Sequence, residues 1–235
     1  MRFVVEREVF ERFPGMRVVA VGVRGIARDA AAQPAIKQQW RAAWDGAREA
    51  AAPYGNAQSH PRVRPWRERF AAMGVSGKQF PSSVEALLRR AMKGGGPFTI
   101  NPLVDFYNAV SLRHTVPVGG FDLADLRGPV ELRLTRLGDT FLALDADAPE
   151  AVPPGEVAYA DGATILTRHF VWRQSRAGLL RPETRDALLL SEVLGEVGLE
   201  VARAVLADLR DGMAALFGAT TTETLVGVDA LEFEW

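Results

Sequence analysis

The chain has 235 residues, a formal net charge of −1 and 48% hydrophobic residues. That length fits one large domain or two tightly joined small ones, with enough apolar material for a sizeable core. It has no cysteine, which excludes disulfides, a thiol nucleophile and every thiolate zinc site.

Residues 17–23 are short, β-branched and apolar, and read as a buried strand. Residues 33–52 read as a helix with Trp40, Ala43, Trp44 and Ala47 on one stripe. Pro53-Tyr54-Gly55-Asn56 ends it with turn chemistry. A shorter helix is predicted over 65–72, with Trp66 and Phe70 inward and its arginines outward. Ser82-Ser83-Val84-Glu85 has the form of a capping box, in which the serine oxygen takes one orphan amide and the glutamate returns to another. Val84, Leu87, Leu88 and Ala91 then mark the buried face of a helix that Lys93-Gly94-Gly95-Gly96-Pro97 stops. Another helix is predicted over 103–112.

The pattern then changes. Val130, Leu132 and Leu134 alternate with Glu131, Arg133 and Thr135, the period of a half-buried strand. Gly138-Asp139 predicts a turn, with residues 140–144 as the return strand of a hairpin. Residues 145–155 read as a loop. Strands are predicted over 157–160 and 164–172, joined by the hairpin dipeptide Asp161-Gly162. Residues 186–193 fit a strand or the first turns of a helix, because a short apolar run suits both. From Val197 a helical stripe of Ala202, Val205, Leu206, Leu209, Met213 and Leu216 runs to Gly218. The tail, 219–235, is expected to add an edge strand. Helices early, hairpins in the middle and a long helix late indicate an α+β fold. About 1–125 forms a helix-rich part and 126–235 the hairpins plus the C-terminal helix.

No apolar run approaches the length of a membrane-crossing helix, so no membrane association is expected. Acids at Glu6 and Glu8 stand where a signal peptide needs a clean apolar block, so a cytoplasmic location is expected. The histidines, His60, His114 and His169, follow no ligand spacing, and no metal is expected. Gly74-Val75-Ser76-Gly77-Lys78-Gln79 is too short for a phosphate loop, and Gln79 replaces the hydroxyl that would hold magnesium. With no dinucleotide fingerprint either, no cofactor is expected. A Gly-x-Ser-x-Gly elbow and a convincing serine triad are both absent.

Several residues remain as candidates for chemistry. Asp105 and Asn108 lie three apart on one predicted helix face, and Asn101 stands where it would cap that helix. The alternative is purely structural: a cap, an acid at the positive helix end and a satisfied amide. Trp172-Arg173 after an apolar strand forms either a stacking shelf with an anion-binding guanidinium, or core packing beside an ordinary ion pair. Glu192 follows the run Ala187-Leu188-Leu189-Leu190-Ser191. A carboxylate desolvated there would have a raised pKa, suited to general-base or amine-binding work; a surface helix position is the alternative. Charge is also uneven. Residues 60–69 carry Arg62, Arg64 and Arg67 around Trp66, and Arg89, Arg90 and Lys93 follow, whereas Asp139, Asp145, Asp147 and Glu150 make a later stretch acidic. Those six cations are candidate nucleic-acid contacts on one face, or else a solvated helix surface.

Asn101, Val104, Asp105 and Asn108, followed by Pro117, Phe121 and Asp122, carry a family resemblance. The pattern is similar to that of the B3/B4 domain of the phenylalanyl-tRNA synthetase beta subunit, and to free-standing proteins built from that domain alone. The resemblance extends loosely over 17–25 and 155–194. It implies a single B3/B4-like domain over 1–235, with helices packed on a central β-sheet, and it implies editing: hydrolysis of the ester of a mischarged aminoacyl-tRNA. The matching positions would frame a substrate groove with Asn101, Asp105, Gly119, Gly120, Asp122, Trp172 and Arg173, and Glu192 and Asn108 would act on the substrate. In the synthetase an acid after a Thr-x-x-x-Leu-Leu run binds the substrate's amino group. Thr184 and Leu188-Leu189 match that run, and Glu192 matches with one residue inserted. Gly119 stands where the synthetase carries a histidine, and Gly119-Gly120 would let a ligand approach free backbone amides. Non-catalytic tRNA binding and amino-acid binding without tRNA are the competing expectations.

Overall fold

The computed structural model describes residues 1–27 and 29–235, Ala30 by its backbone alone. In chain order these form β1 (Arg2–Val5), α1 (Arg7–Arg12), β2 (Arg17–Arg24), α2 (Gln33–Ala51), α3 (Arg64–Ala72), α4 (Ser83–Met92), α5 (Pro102–His114), β3 (Gly119–Asp122) and β4 (Val130–Leu134). There follow β5 (Thr140–Phe141), β6 (Glu150–Ala151), β7 (Val157–Asp161), β8 (Thr164–Arg168), β9 (Arg173–Gln174), β10 (Ala187–Val193), α6 (Leu199–Phe217), β11 (Thr220–Val226) and β12 (Glu232–Glu234). The fold is α+β. One sheet runs β12-β1-β4-β7-β8-β5-β6 with β9 on β8, and a smaller one runs β11-β2-β10-β3.

Strand parity explains the layers. In a strand, successive side chains point to opposite faces. On β2, Val18 and Ala20 join Leu188 and Leu190 of β10 in a core shared with Phe3, Leu132 and Tyr159 of the larger sheet. The alternate residues Val19, Val21, Ala187, Leu189 and Val193 pack on α5 and α6 through Phe106, Val110, Val205 and Leu209. The central strands of the smaller sheet, β2 and β10, are therefore buried on both faces. This is why 186–193 shows no alternation and fits two structures in sequence; a strand covered on both sides reads as a continuous apolar run. A third cluster joins α2, α4 and α5 through Trp40, Trp44, Leu88 and Leu112.

Several sequence expectations are corrected. Residues 140–144 are not the return strand of β4, whose neighbours are β1 and β7. Only Thr140 and Phe141 are strand, paired with β8 and β6. Gly138-Asp139 does close a turn, the Asp139 amide donating to Arg136 O at 3.2 Å with Gly138 at φ 94°. The Asp139 carboxylate holds it by accepting from Arg133 at 2.7 and 3.0 Å and from the Arg136 amide at 2.7 Å. The strands on either side of the turn are not paired with each other. Arg133 is buried by that pairing, against the alternation. Residues 117–122, which close the family pattern, contain the edge strand β3. The strand after Asp161-Gly162 stops at Arg168, because His169 and Phe170 take φ of 43° and 31°, values that do not continue a strand. The 145–155 loop contains β6. Glu85 does not complete a capping box. Ser82 Oγ accepts from the Glu85 amide at 3.4 Å, but the Glu85 carboxylate turns to Arg67, which donates to it at 2.8 and 2.6 Å.

Asn101 is the N-cap of α5. Its Oδ1 accepts from the Val104 amide at 3.0 Å and its Nδ2 donates to Leu180 O at 3.2 Å. Asn101→Ala is expected to lower stability by about 1–2 kcal/mol. Urea unfolding should show a lower midpoint with the slope unchanged; an unmoved midpoint would remove the cap from the account.

Candidate functional site

A cleft of about 310 Å³ opens between α4, α5, β3, the segment 170–174 and the facing surfaces of β7 and β10. Helix periodicity gives α4 a lining face of Ser83, Ala86, Leu87 and Arg90, and α5 contributes Val104, Tyr107 and Asn108. Exposure is graded along the walls. Arg90 and Ile100 are exposed at the rim, whereas Phe121, Tyr159, Leu190 and Glu192 are buried at the floor.

Glu192 shares the parity of Leu188 and Leu190, so it faces the larger sheet. There Tyr159 Oη donates to Glu192 Oε1 in a short hydrogen bond. The carboxylate is 4% exposed. Burial pushes its pKa up to about 7, opposed by the Tyr159 hydroxyl and its own backbone amide. Burial, with the neighbouring carboxylate, also drives the Tyr159 pKa well above the usual phenol range. Sequence reasoning missed Tyr159, because a tyrosine inside Val-Ala-Tyr-Ala reads as core. The available signal was chemical: a buried phenol needs a hydrogen-bond partner, and Glu192 is 33 positions away. Opposite Tyr159 lies Thr167, where a register shift in the β7–β8 ladder occurs. A bulge of this kind re-aims side chains, and Thr167 lines the cleft with Tyr159.

Asn108 is 7% exposed and lines the same cavity. Among the described residues its side-chain amide has no hydrogen-bond partner, so its donors and acceptor are available to a ligand. The two glycines differ. A Cβ on Gly119 would meet nothing within 4 Å, whereas one on Gly120 would stand 2.6 Å from Leu189 Cδ2 and 2.8 Å from Leu188 O. Gly119 leaves the cavity open, and Gly120 allows β3 to approach β10. Asp122 on the same edge strand donates its amide outward to Gly178 O at 2.9 Å. Strand alternation turns the Gly120 peptide groups the same way, and the Gly120 carbonyl accepts from Gln174 Nε2 at 3.1 Å. The Gly120 N–H thus points off the sheet edge beside the cleft.

Trp172 lines the cleft. Arg173 does not: it lies beside Trp172, 5.9 Å from the ring centroid, and pairs with Asp145. Asn101 lies outside as a cap. Asp105 is turned from the cavity, accepting from the Ile100 amide at 2.9 Å; burial raises its pKa despite this bond. Asp122 is also away from it, bound by Thr184 Oγ1 at 2.6 Å and the Ala124 amide at 3.0 Å. The basic segment is largely consumed by the fold. Arg62 donates to His114 O at 2.6 Å, Arg64 lies 3.4 Å from Glu68, and Arg67 holds Glu85. Arg90 is at the rim, 5.0 Å from the Phe98 ring centroid. Arg89 and Lys93 line a neighbouring groove on the next face of α4. No helix among the described residues is long and apolar enough to cross a membrane.

The raised Glu192 pKa has a signed consequence for stability. The acid is neutral more readily when folded than when unfolded, so its stabilising contribution is full below pH 4.5 and is lost as pH rises to about 7. The loss amounts to about 3 kcal/mol. Glu192→Gln, which keeps an acceptor for Tyr159, is expected to flatten this slope. Urea unfolding of both proteins from pH 4.5 to 8 measures it; parallel curves would refute a desolvated carboxylate.

The model of the B3/4 domain matches residues 65–204, a span that contains every cleft residue named above. Similar proteins include the phenylalanine–tRNA ligase beta subunits of Thermobifida fusca (30% identity over 152 residues, 62% of this chain and 17% of that one), and Chromobacterium violaceum (29% over 157 residues, 64% and 19%). That of Brucella abortus is 34% identical over 131 residues, 55% of this chain and 16% of its own. The chain thus spans less than a fifth of the length of these relatives. Among solved structures, an N-terminal fragment of the phenylalanyl-tRNA synthetase beta subunit from Pyrococcus horikoshii aligns with a TM-score of 0.47 at 11% identity, over 95% of this chain and 53% of that one. The family match covers well over half of the sequence, and the chain belongs to the B3/4 domain family.

Proposed function

We propose that the protein hydrolyses the ester of a mischarged aminoacyl-tRNA, acting on a tRNA charged by another enzyme. The observation that carries this reading is the convergence of two buried polar groups, Glu192 and Asn108, on an apolar cavity with an open mouth. The kinship with phenylalanine–tRNA ligase beta subunits supports a tRNA as the carrier.

The chemistry needs no covalent nucleophile. Water attacks the ester carbonyl, the acyl C–O bond breaks, and the ribose oxygen leaves with a proton. Positioning and electrostatic stabilisation suffice for an ester activated by its own α-amino group and a neighbouring hydroxyl. Asn108 and the Gly120 N–H are the donors assigned to the developing oxyanion, and Glu192 anchors the aminoacyl group. A second sieve is useful because one methylene or hydroxyl gives a charging pocket only about 10–200-fold discrimination. Arg90 at the mouth, with Arg89 and Lys93 beside it, is assigned to the phosphates of the incoming 3′ end. Arg62 and Arg67 are not, because they are engaged within the fold, whereas Arg64 stays exposed in a surface pair with Glu68.

A panel of mischarged tRNAs incubated with the purified protein tests the reading. Accelerated deacylation of at least one is expected. Asn108→Ala should lower kcat/KM by about 100-fold, the scale of one lost oxyanion donor. After subtraction of the spontaneous rate, kcat/KM should rise with pH through about 7 as Glu192 ionises, and Glu192→Gln should lose that limb. tRNA binding without turnover of any ester, unaffected by either variant, would replace this reading with a non-catalytic RNA-binding role.

A further inference from the structure

Glu192 is a buried carboxylate without a cation. Its side-chain partner is the neutral Tyr159 hydroxyl, and among the described residues it forms no ion pair. An ionised carboxylate accepts at about four lone-pair positions. With Tyr159 and its own backbone amide each taking one, capacity is left over, and Glu192 lines the cavity. Buried charges are normally paired, so the missing partner is a cation that the ligand brings. The walls agree. Phe121, Phe170, Tyr107 and Trp172 line the same cavity, and aromatic faces attract cations.

The position of the acid decides which cation. On the reading proposed above, the ester is joined to a polynucleotide too large to enter a cavity of about 310 Å³. The ester must therefore lie on the mouth side of the ligand, at Asn108 and the Gly120 N–H, with the polynucleotide outside by exposed Arg90 and Ile100, while Glu192 sits at the floor with Tyr159 and Leu190. The α-amino group is bonded to the carbon next to the ester carbonyl and stays there with it. What reaches the floor is the far end of the amino-acid side chain. A neutral hydroxyl there would repeat what Tyr159 already supplies and leave the charge uncompensated. Gly119, with no side chain and open space beside it, leaves room for a long, unbranched group to pass.

We infer that Glu192 and Tyr159 form a side-chain specificity site for a terminal ammonium or guanidinium, so that the aminoacyl groups removed are basic ones. The inference rests on the editing reading for the placement of the ester, but its test does not need hydrolysis.

Thermal unfolding of the protein with small esters separates the possibilities. Nα-acetyl-lysine methyl ester and Nα-acetyl-arginine methyl ester present only a side-chain cation; Nε-acetyl-lysine methyl ester presents only the α-amine; Nα-acetyl-norleucine methyl ester presents neither. The first two are expected to raise Tm by about 2–4 °C at several times their Kd, and the last two to leave it unmoved. Glu192→Gln should abolish the shift. In the wild-type protein the shift should fade as pH falls below about 7, an independent readout should the variant fold poorly. An equal shift from the norleucine ester would show that charge is not read. A larger one from the Nε-acetyl ester would assign Glu192 to the α-amine, and no shift from any probe would remove the site. Binding of the lysine ester without tRNA deacylation would keep the cation site and reject only the hydrolase.

Discussion

The Tyr159–Glu192 hydrogen bond joins the two sheets across the space between them, and the cleft exists because a polar pair occupies that place. Strand β10 is buried along all of its residues. Leu188 and Leu190 press on the larger sheet as core, and the next side chain of the same parity is a carboxylate. Apolar packing cannot continue past it without leaving the charge unsolvated, which costs several kcal/mol for an isolated ion. The fold responds in two ways: one phenol turns to meet the acid, and the layers part to leave a cavity on its other side. The raised pKa records the same compromise, since a group shifts toward its neutral form where water is withdrawn.

Much of the fold was legible in the sequence wherever one face of an element meets water. The stripe on α2, the run ending at Gly218 and the Asp161-Gly162 hairpin all follow from periodicity and turn chemistry. What was not legible has a common cause, which is that a side chain or a strand was claimed by a distant partner. The strand after Gly138-Asp139 was expected to return on β4, but β8 and β6 claim it. Glu85 was expected to return to its own helix end, but Arg67 draws it away. Strand β10 lost its alternation because helices cover one face and a second sheet the other. Local pattern registers none of these, since each depends on residues far away in sequence.

The candidate site shows the same division. Glu192, Asn108, Gly119, Gly120 and Trp172 were singled out from sequence and line one cavity. Asn101, Asp105 and Asp122 belong to the same motif yet lie outside it, holding the start of α5 and the turn after β3. The motif therefore records two demands at once: the groups that build the wall and the groups that fill it. Helix spacing told that Asp105 and Asn108 are near neighbours, but it did not tell which of them faces the ligand. That depends on what packs on the helix, and here the Ile100 amide turns Asp105 away.

The distribution of charge along the cleft adds a constraint on any ligand. Arginine stands at its exposed rim and a carboxylate at its buried floor, and both line one cavity. In water the rim charge attracts weakly and is screened within about 10 Å at 0.1 M salt. The floor charge is far less screened, because little solvent reaches it. A ligand carrying an anionic end and a cationic end gains from both only in one orientation, with phosphate outward and cation inward. The reversed pose would set like charges together at each end, and the buried encounter would be the costlier one. A nucleotide joined to an amino acid has this polarity. A ligand of that polarity would be oriented before it is fitted: the weak outer field draws its anionic end, and the strong inner one decides whether the group presented first stays.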